Sequence, residues 1–319
     1  MAETFCGIDV AKAHLDVAVR SAGQTLASWQ VSNDEAGLLV LVEQLKPMAP
    51  ALTVLEATGG YECPAAAALA AAGLAVALIN PRQGREFAKA TGKLAKTDKL
   101  DAALLAHFAD AIRPPVRPLP GEQQQHLQAL LTRRRQVVEM RTAELNRLGT
   151  ALPALRERIQ QHLDWLQGEA DALDGELADE VKASPLWREK DDLLRSVKSV
   201  GKVTSLTLLA VVPELGTLSR KRIAALVGLA PFAQDSGKRK GTRAIWGGRA
   251  EVRAVLYMAT LSAIRHNPVI RAFYQHLRKQ GKLKKVALTA CTRKLLVILN
   301  AILRTRQPWV DKTQQAQPA

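Results

Sequence analysis

The sequence predicts an N-terminal α/β domain built on a mixed sheet, then long helices leading into a mainly α C-terminal domain. Three observations predict this. Short alternating apolar runs open the chain, strand-like and helix-like stretches then alternate up to about residue 112, and from Gln123 onward the apolar spacing is mostly helical.

"TFCGIDV" and "HLDVAVR" alternate in apolar character across "AKA", which reads as a hairpin-like strand pair, and "QTLASWQV" supplies a third strand. "NDEAGLLVLVEQLK" opens with Asn33 or Asp34 as a helix cap and has helical spacing at Leu38, Leu41, Val42 and Leu45. "LTVLEATGG" is a buried strand running into a Gly-rich turn, "CPAAAALAAAG" a helix ended by Gly73, and "LAVALIN" another strand. Pro81 opens the helix "PRQGREFAKAT", and a further helix carries Asp98 and Asp101. The first three strands therefore form a meander within a mixed sheet.

"RPPVRPLPGE" is a stiff Pro-rich linker. It divides the chain into residues 1–112, a linker and coiled-coil-like helical region at 113–189, a basic helical region at 190–307 and a disordered tail at 308–319. Leu127, Leu130, Leu131 and Val138 stand near heptad spacing, as in a helical spacer or an oligomerising hairpin, and Pro153 interrupts the run.

The formal charge of +15 is unevenly distributed. Residues 1–110 hold nine Lys and Arg against twelve Asp and Glu, and residues 111–189 hold eleven against twelve. Residues 190–310 hold twenty-four against five, so the grip on a polyanion is at the back of the chain and the acidic chemistry at the front. Cys6, Cys63 and Cys291 have neither ligand-like nor disulfide-like spacing, which fits a reducing bacterial cytoplasm. The longest apolar run, Pro64 to Ile79, is too short for a bilayer span, and no membrane role is expected.

Four acids draw attention. Asp9 ends the first strand and Glu56 the fourth, and these strands can lie side by side. A helix across that edge could add Asp98 and Asp101, which share a face at three-residue spacing. Singly, each acid also fits a structural role: a turn former at Asp9, caps at Glu56 and Asp98, a first-turn acid at Asp101. Together, four carboxylates need a cation to stay ionised, and hard oxygen ligands select Mg²⁺ or Mn²⁺. Paired ions of this kind cut phosphodiesters. Asp16 is expected to alternate outward to the surface.

A second site lies in "PFAQDSGKRKGTRAIWGGRAEVRAVLYM". Ser236 is followed by Lys238, Arg239, Lys240 and Arg243, with Arg249 and Arg253 further on. The stretch reads first as a flexible phosphate-binding loop with Ser236 as a hydroxyl donor. The sharper alternative makes Ser236 a nucleophile whose target is neutralised by the basic cluster. Tyr257 is better explained by packing, and Trp246 is either a base-stacking group or a loop anchor. Lys198 and Lys202 flank the turn "SVGKV", which suits a phosphate or an ordinary helical hairpin equally. Lys282, Lys284 and Lys285 in "RKQGKLKK", and the stretch "LTRRRQ", are candidate RNA contacts or solvated charged faces.

The ordered blocks "GIDVAKAHLDVAV", "LEATGGYE", "KTDKLDA", "SVKSVGKVTSLTLLA", "LVGLAPF" and "DSGKRKGTRAIWGGRAEVRAVLYMA" resemble the insertion-sequence transposases of the IS one-ten family, relatives of a pilin-gene invertase. The resemblance spans roughly Gly7 to Leu303. It implies a RuvC-like domain of ribonuclease H type with a metal-binding tetrad at Asp9, Glu56, Asp98 and Asp101, and a covalent nucleophile at Ser236. It further implies strand exchange on double-stranded DNA at element ends and target, action on the bacterial nucleoid, and an element-encoded non-coding RNA that reads sequence by pairing. A site shared between subunits of a dimer or tetramer belongs to the same expectation. The rival readings are a Mg²⁺-dependent junction nuclease without a covalent intermediate, and a non-catalytic nucleic-acid-binding protein.

Overall fold

The computed structural model describes residues 2–92, 98–116, 121–233, 235–237 and 241–310, with the backbone alone at 98–100. The Asp98 side chain, the expected contacts Lys238, Arg239 and Lys240, and residues 311–319 of the expected tail lie outside the described residues. The chain forms two compact units, Met1–Pro120 and Gly121–Ala319, which meet within the Pro-rich linker.

In the first unit, β1 (Thr4–Val10), β2 (His14–Ser21) and β3 (Gln24–Ser32) form the expected antiparallel meander. β4 (Leu52–Glu56) pairs parallel with β1, and β5 (Val76–Ile79) parallel with β4, giving the order β3-β2-β1-β4-β5. Strand parity assigns each face a partner. Cys6, Ile8, Leu15 and Val17 pack with Leu41 and Leu45 of α1 (Glu35–Met48) and Leu69 of α2 (Cys63–Ala71). Phe5, Val54 and Ile79 face the other way and pack with Leu105 and Phe108 of α4 (Asp98–Ile112), beside α3 (Pro81–Ala90). Each fully buried aliphatic side chain here contributes about 1.5–3 kcal/mol.

Local chemistry starts these helices. Asp34, rather than Asn33, caps α1 by accepting from the Gly37 N–H at 2.8 Å. That bond and the Ser32 hydroxyl hold the Asp34 carboxyl below its usual range. Asn80 and Gln83 form a capping box at α3, where Pro81 occupies the first turn.

In the second unit, α5 (Glu122–Thr150) and α6 (Pro153–Ala183) form an antiparallel hairpin. Pro153 sits in the first turn of α6, so the interruption falls where the sequence places it. Arg134 clamps Asp174 across the pair with two bonds of 2.9 Å. One core runs from Leu127 of α5 through α7 (Pro185–Arg195), α8 (Lys202–Val211), α9 (Arg220–Val227) and α10 (Ala250–His266) to Ile302 of α12 (Lys284–Thr305). The helical region and the basic region, separated near residue 189 in the sequence, therefore share apolar packing. α11 (Pro268–Lys279) is capped by Asn267, which accepts from Val269 and Ile270 N–H groups. α12 is long and apolar enough to cross a membrane by composition, but Leu295, Leu296 and Leu299 lie in the core. Trp309, at the start of the expected tail, packs on that core and donates its N–H to Ser196 Oγ at 2.8 Å.

Candidate active site

In the first unit the register brings the acids to one edge. Ile8 of β1 stands opposite Leu55 of β4 in a parallel pair. Asp9 and Glu56 are the next residues on each strand, so they leave adjacent parallel strands at the same carboxyl end and on the same face. That is where open α/β sheets bind their ligands. Both side chains are half-buried.

α4 crosses this face antiparallel to β1. Arg113, just past its C-terminus, lies 5.0 Å over the Phe5 ring, while Gly7 meets the backbone of Ala102 to Ala106. Continuing along β1 toward Asp9 leads to the first turn of α4, which holds Asp98 and Asp101. The close approach depends on Gly7: an added Cβ would sit 2.1 Å from the Ala106 nitrogen. Gly84 of α3 has the same role beside Glu56, because a Cβ there would lie 2.1 Å from Glu56 Oε1. The space around Glu56 is thus kept free of another side chain.

Asp16 does not behave as expected. It is 3% exposed and stands directly opposite Asp9 in the antiparallel register. Directly opposed residues share a face, so Asp16 points to the α4 side rather than to solvent. Gln30 Nε2 bonds both its oxygens at 3.2 Å and His14 Nε2 lies 3.4 Å away. The signal was present in the sequence: a hairpin turning about Lys12 pairs Asp9 with Asp16.

Two further residues position this edge. Glu62, 7% exposed, accepts from Thr58 N–H at 3.0 Å, Thr58 Oγ1 at 3.1 Å and Gly60 N–H at 2.8 Å, so it ties down the turn that follows Glu56. Asn33 Nδ2 donates to the carbonyls of Ala11 and Tyr61 at 2.9 and 3.2 Å. It joins the loop after Asp9 to the loop after Glu56. Neither role has a local sequence signal, because each depends on segments distant along the chain.

Among the described residues no group of three or more His, Cys, Asp or Glu stands close enough together to form a metal site. The donor set at the edge is nonetheless all carboxylate: Asp9, Glu56 and Asp101 are described, and Asp98 opens α4. Such oxygens fit a hard divalent cation.

In the second unit Ser236 lies on an exposed hairpin. β6 (Pro231–Phe232) pairs with β7 (Ala244–Ile245), two short strands the sequence reading took as loop. Asp235 fastens the loop they enclose, accepting from Gly241 N–H at 3.1 Å and standing 3.6 Å from Arg243. Ser236 is exposed, and Gly237 turns with φ +54°.

The base of the hairpin is rigid. A Cβ on Gly248 would lie 2.3 Å from the Gly228 nitrogen, so two chain segments touch there backbone to backbone. Arg253 donates to the Val227 carbonyl at 2.9 Å and to the Gly247 carbonyl. Arg249 makes a bidentate pair with Glu214 at 2.6 and 2.8 Å. These two expected nucleic-acid contacts therefore brace the hairpin. Lys202 is half-buried and donates to the Asp174 carbonyl, whereas Lys198, Arg243, Lys282, Lys284 and Lys285 are exposed. Tyr257 is half-buried on α10, and Trp246 is 63% exposed.

The three cysteines are free thiols, with Cys6 and Cys291 buried. Burial raises the Cys6 thiol far above its ordinary pKa and pushes Cys291 up to about 11 against the opposing charge of Lys294.

Comparison with known families matches both units. A family profile described as "Transposase", of the DEDD IS110 type, matches residues 6–156 and so spans the four acids. A second, described as "Transposase IS116/IS110/IS902 family", matches residues 191–275 and spans Ser236. The chain is 28% identical to the pilin gene-inverting protein of Moraxella lacunata, over 97% of this chain and 98% of that one. The Moraxella bovis pilin gene-inverting protein is also 28% identical over the same shares. The transposase for insertion sequence element IS1111A of Coxiella burnetii is 26% identical over 61% of each chain.

Proposed function

The chain belongs to the IS110 family of insertion-sequence transposases, and from that premise we propose that it breaks and rejoins DNA with an acid site in its first unit and a serine nucleophile in its second. The observation that carries the acid site is the register. It brings Asp9 and Glu56 to the carboxyl ends of adjacent parallel strands, beneath the first turn of α4. The order β3-β2-β1-β4-β5, an antiparallel meander continued by parallel strands, supports a RuvC-like, ribonuclease H-type reading.

Asp9, Glu56, Asp98 and Asp101 hold Mg²⁺, for which Mn²⁺ can substitute. When bound, the cation supplies charge neutralisation and Lewis acidity at the phosphate. Ser236 Oγ attacks phosphorus: a serine–phosphate bond forms, the bond from phosphorus to one bridging deoxyribose oxygen breaks, and the serine proton ends on the departing hydroxyl. A free DNA hydroxyl then attacks the phosphoserine, restoring the diester and the serine. Energy is conserved across the exchange, since one phosphodiester replaces another.

The exposed cations Lys198, Arg243, Lys282, Lys284 and Lys285 suit nucleic-acid backbone. In this reading an element-encoded RNA selects the DNA by pairing, and a dimer or tetramer acts on nucleoid DNA in the cytoplasm. The family relationship and the charge of residues 190–310 support it.

The test uses extract from cells expressing the protein beside its native flanking DNA, so that any guide RNA is present. Labelled element-junction DNA is scored for a denaturant-resistant adduct. The expected adduct needs Mg²⁺ and is lost in Ser236→Ala, Asp9→Asn and Asp101→Asn. Equal cleavage without an adduct in wild type and Ser236→Ala would leave a metal-dependent nuclease instead.

A further inference from the structure

The Ser236 hairpin is built in a way that packing does not explain. Both of its two-residue strands are exposed on both faces. A lone two-stranded hairpin is marginal in water, and large apolar side chains are seldom left on one without a partner. Here Phe232 is 52% exposed, Ile245 37% and Trp246 63%.

Register sorts these side chains. Phe232 stands opposite Ala244, and Pro231 opposite Ile245. Alternation carried one residue past β7 puts Trp246 on the side of Ala244, and hence of Phe232. Two aromatic rings therefore share one side of the hairpin, within a few residues of Ser236. The same stretch carries Lys238, Arg239, Lys240 and Arg243 against the single acid Asp235. Aromatic groups amid cations are a poor fit for an apolar protein surface and a good one for a polyanion whose units have flat π faces. The root of the hairpin is held by the Gly228–Gly248 backbone contact and the Arg249–Glu214 pair, so the rings are presented from a fixed base.

We propose that Phe232 and Trp246 form a base-stacking platform that takes an unpaired nucleobase next to the phosphate presented to Ser236. The ligand is a single-stranded segment of nucleic acid. This rests on the reading that the second unit handles DNA, and it adds a preference for unstacked bases over duplex. The energetic logic is that of other stacking platforms: every base has a π face, so the site is tolerant of sequence while requiring that the base leave its helix.

The test is binding without chemistry, so it stands apart from the adduct assay. Fluorescence anisotropy with the full chain measures affinity for a labelled 20-mer oligothymidylate, a 20-mer oligouridylate and a 20-base-pair duplex over a salt series. Trp246→Ala is expected to weaken single-strand binding about 5- to 100-fold. Phe232→Ala should act in the same direction, and Trp246→Phe should keep most of the affinity. Duplex affinity and the salt slope should stay as in wild type, because no cation is removed. Loss on oligothymidylate alone would assign the platform to DNA, and loss on both to either strand. Unchanged single-strand affinity in both alanine variants would overturn the proposal. So would an equal loss on duplex and single strand. An absent adduct with a Trp246-dependent single-strand preference would leave the platform standing and remove only the nucleophile.

Discussion

Gly7→Ala tests how α4 is seated over the acids. Gly7 lies in β1 with an ordinary extended backbone, so the substitution introduces no torsional strain and acts only through its new methyl group. That methyl would lie 2.1 Å from the Ala106 nitrogen, 2.3 Å from the Ala102 oxygen and 2.6 Å from the Leu105 carbonyl carbon. All three are backbone atoms of α4, which no side-chain rotation can move. Restoring ordinary contact near 3.4 Å requires α4 to lift by about 1.3 Å. Overpacking of this kind costs about 1–3 kcal/mol, read as a lowered denaturant midpoint at unchanged slope. Because the lift carries Asp98 and Asp101 away from Asp9 and Glu56, adduct formation should fall on the order of 100-fold at a temperature where the variant is still folded. Gly149→Ala in α5, where nothing lies within 4 Å of the added carbon, is the control and should change neither. A Gly7→Ala protein with wild-type midpoint and wild-type adduct yield would refute the seating of α4 on β1.

Gly84→Ala separates function from stability: its methyl meets only the mobile end of Glu56, so the midpoint should hold while adduct formation drops about tenfold or more. Glu62→Ala strands the Thr58 and Gly60 N–H groups and should cost about 1–3 kcal/mol, with faster hydrogen exchange confined to the turn after Glu56. Arg249→Ala leaves the partly buried Glu214 carboxylate unpaired, and a loss of about 1.5–3 kcal/mol is expected in denaturation of the full chain. Thiol labelling of the native protein should modify Cys63 alone, at a rate that climbs with pH because burial and Glu62 raise its pKa; native labelling of Cys6 or Cys291 would contradict the packing around them.

What could be read from the sequence was local. Strand alternation around "GIDV" and "LDVAV", the caps at residues 33–34 and 80, Pro153 at the start of α6 and the closing Gly73 all depend on neighbours within one or two turns of chain. Each appears in the structure near its expected place. Charge segregation was equally legible, since it is a property of composition. Asp9, Glu56, Asp101 and Ser236 could be singled out by type and spacing. Their use required a resemblance as well, because an acid at a strand end is also a common turn residue.

The remainder was decided by contacts between distant segments. Parallel pairing of β1 with β4 joins strands more than forty residues apart, and only its register makes Asp9 and Glu56 neighbours. Cross-strand pairing buried Asp16 where simple alternation had sent it outward. Arg249 and Arg253 look in sequence like Lys238 and Arg243, yet tertiary contacts turn them inward onto Glu214 and two carbonyls. Periodicity and capping follow from backbone geometry over a few residues, so the sequence alone determined the elements and the charge of each region. Register, burial of polar groups and the partner of each cation are free energies of association between remote parts of the chain, and only the folded structure decides them.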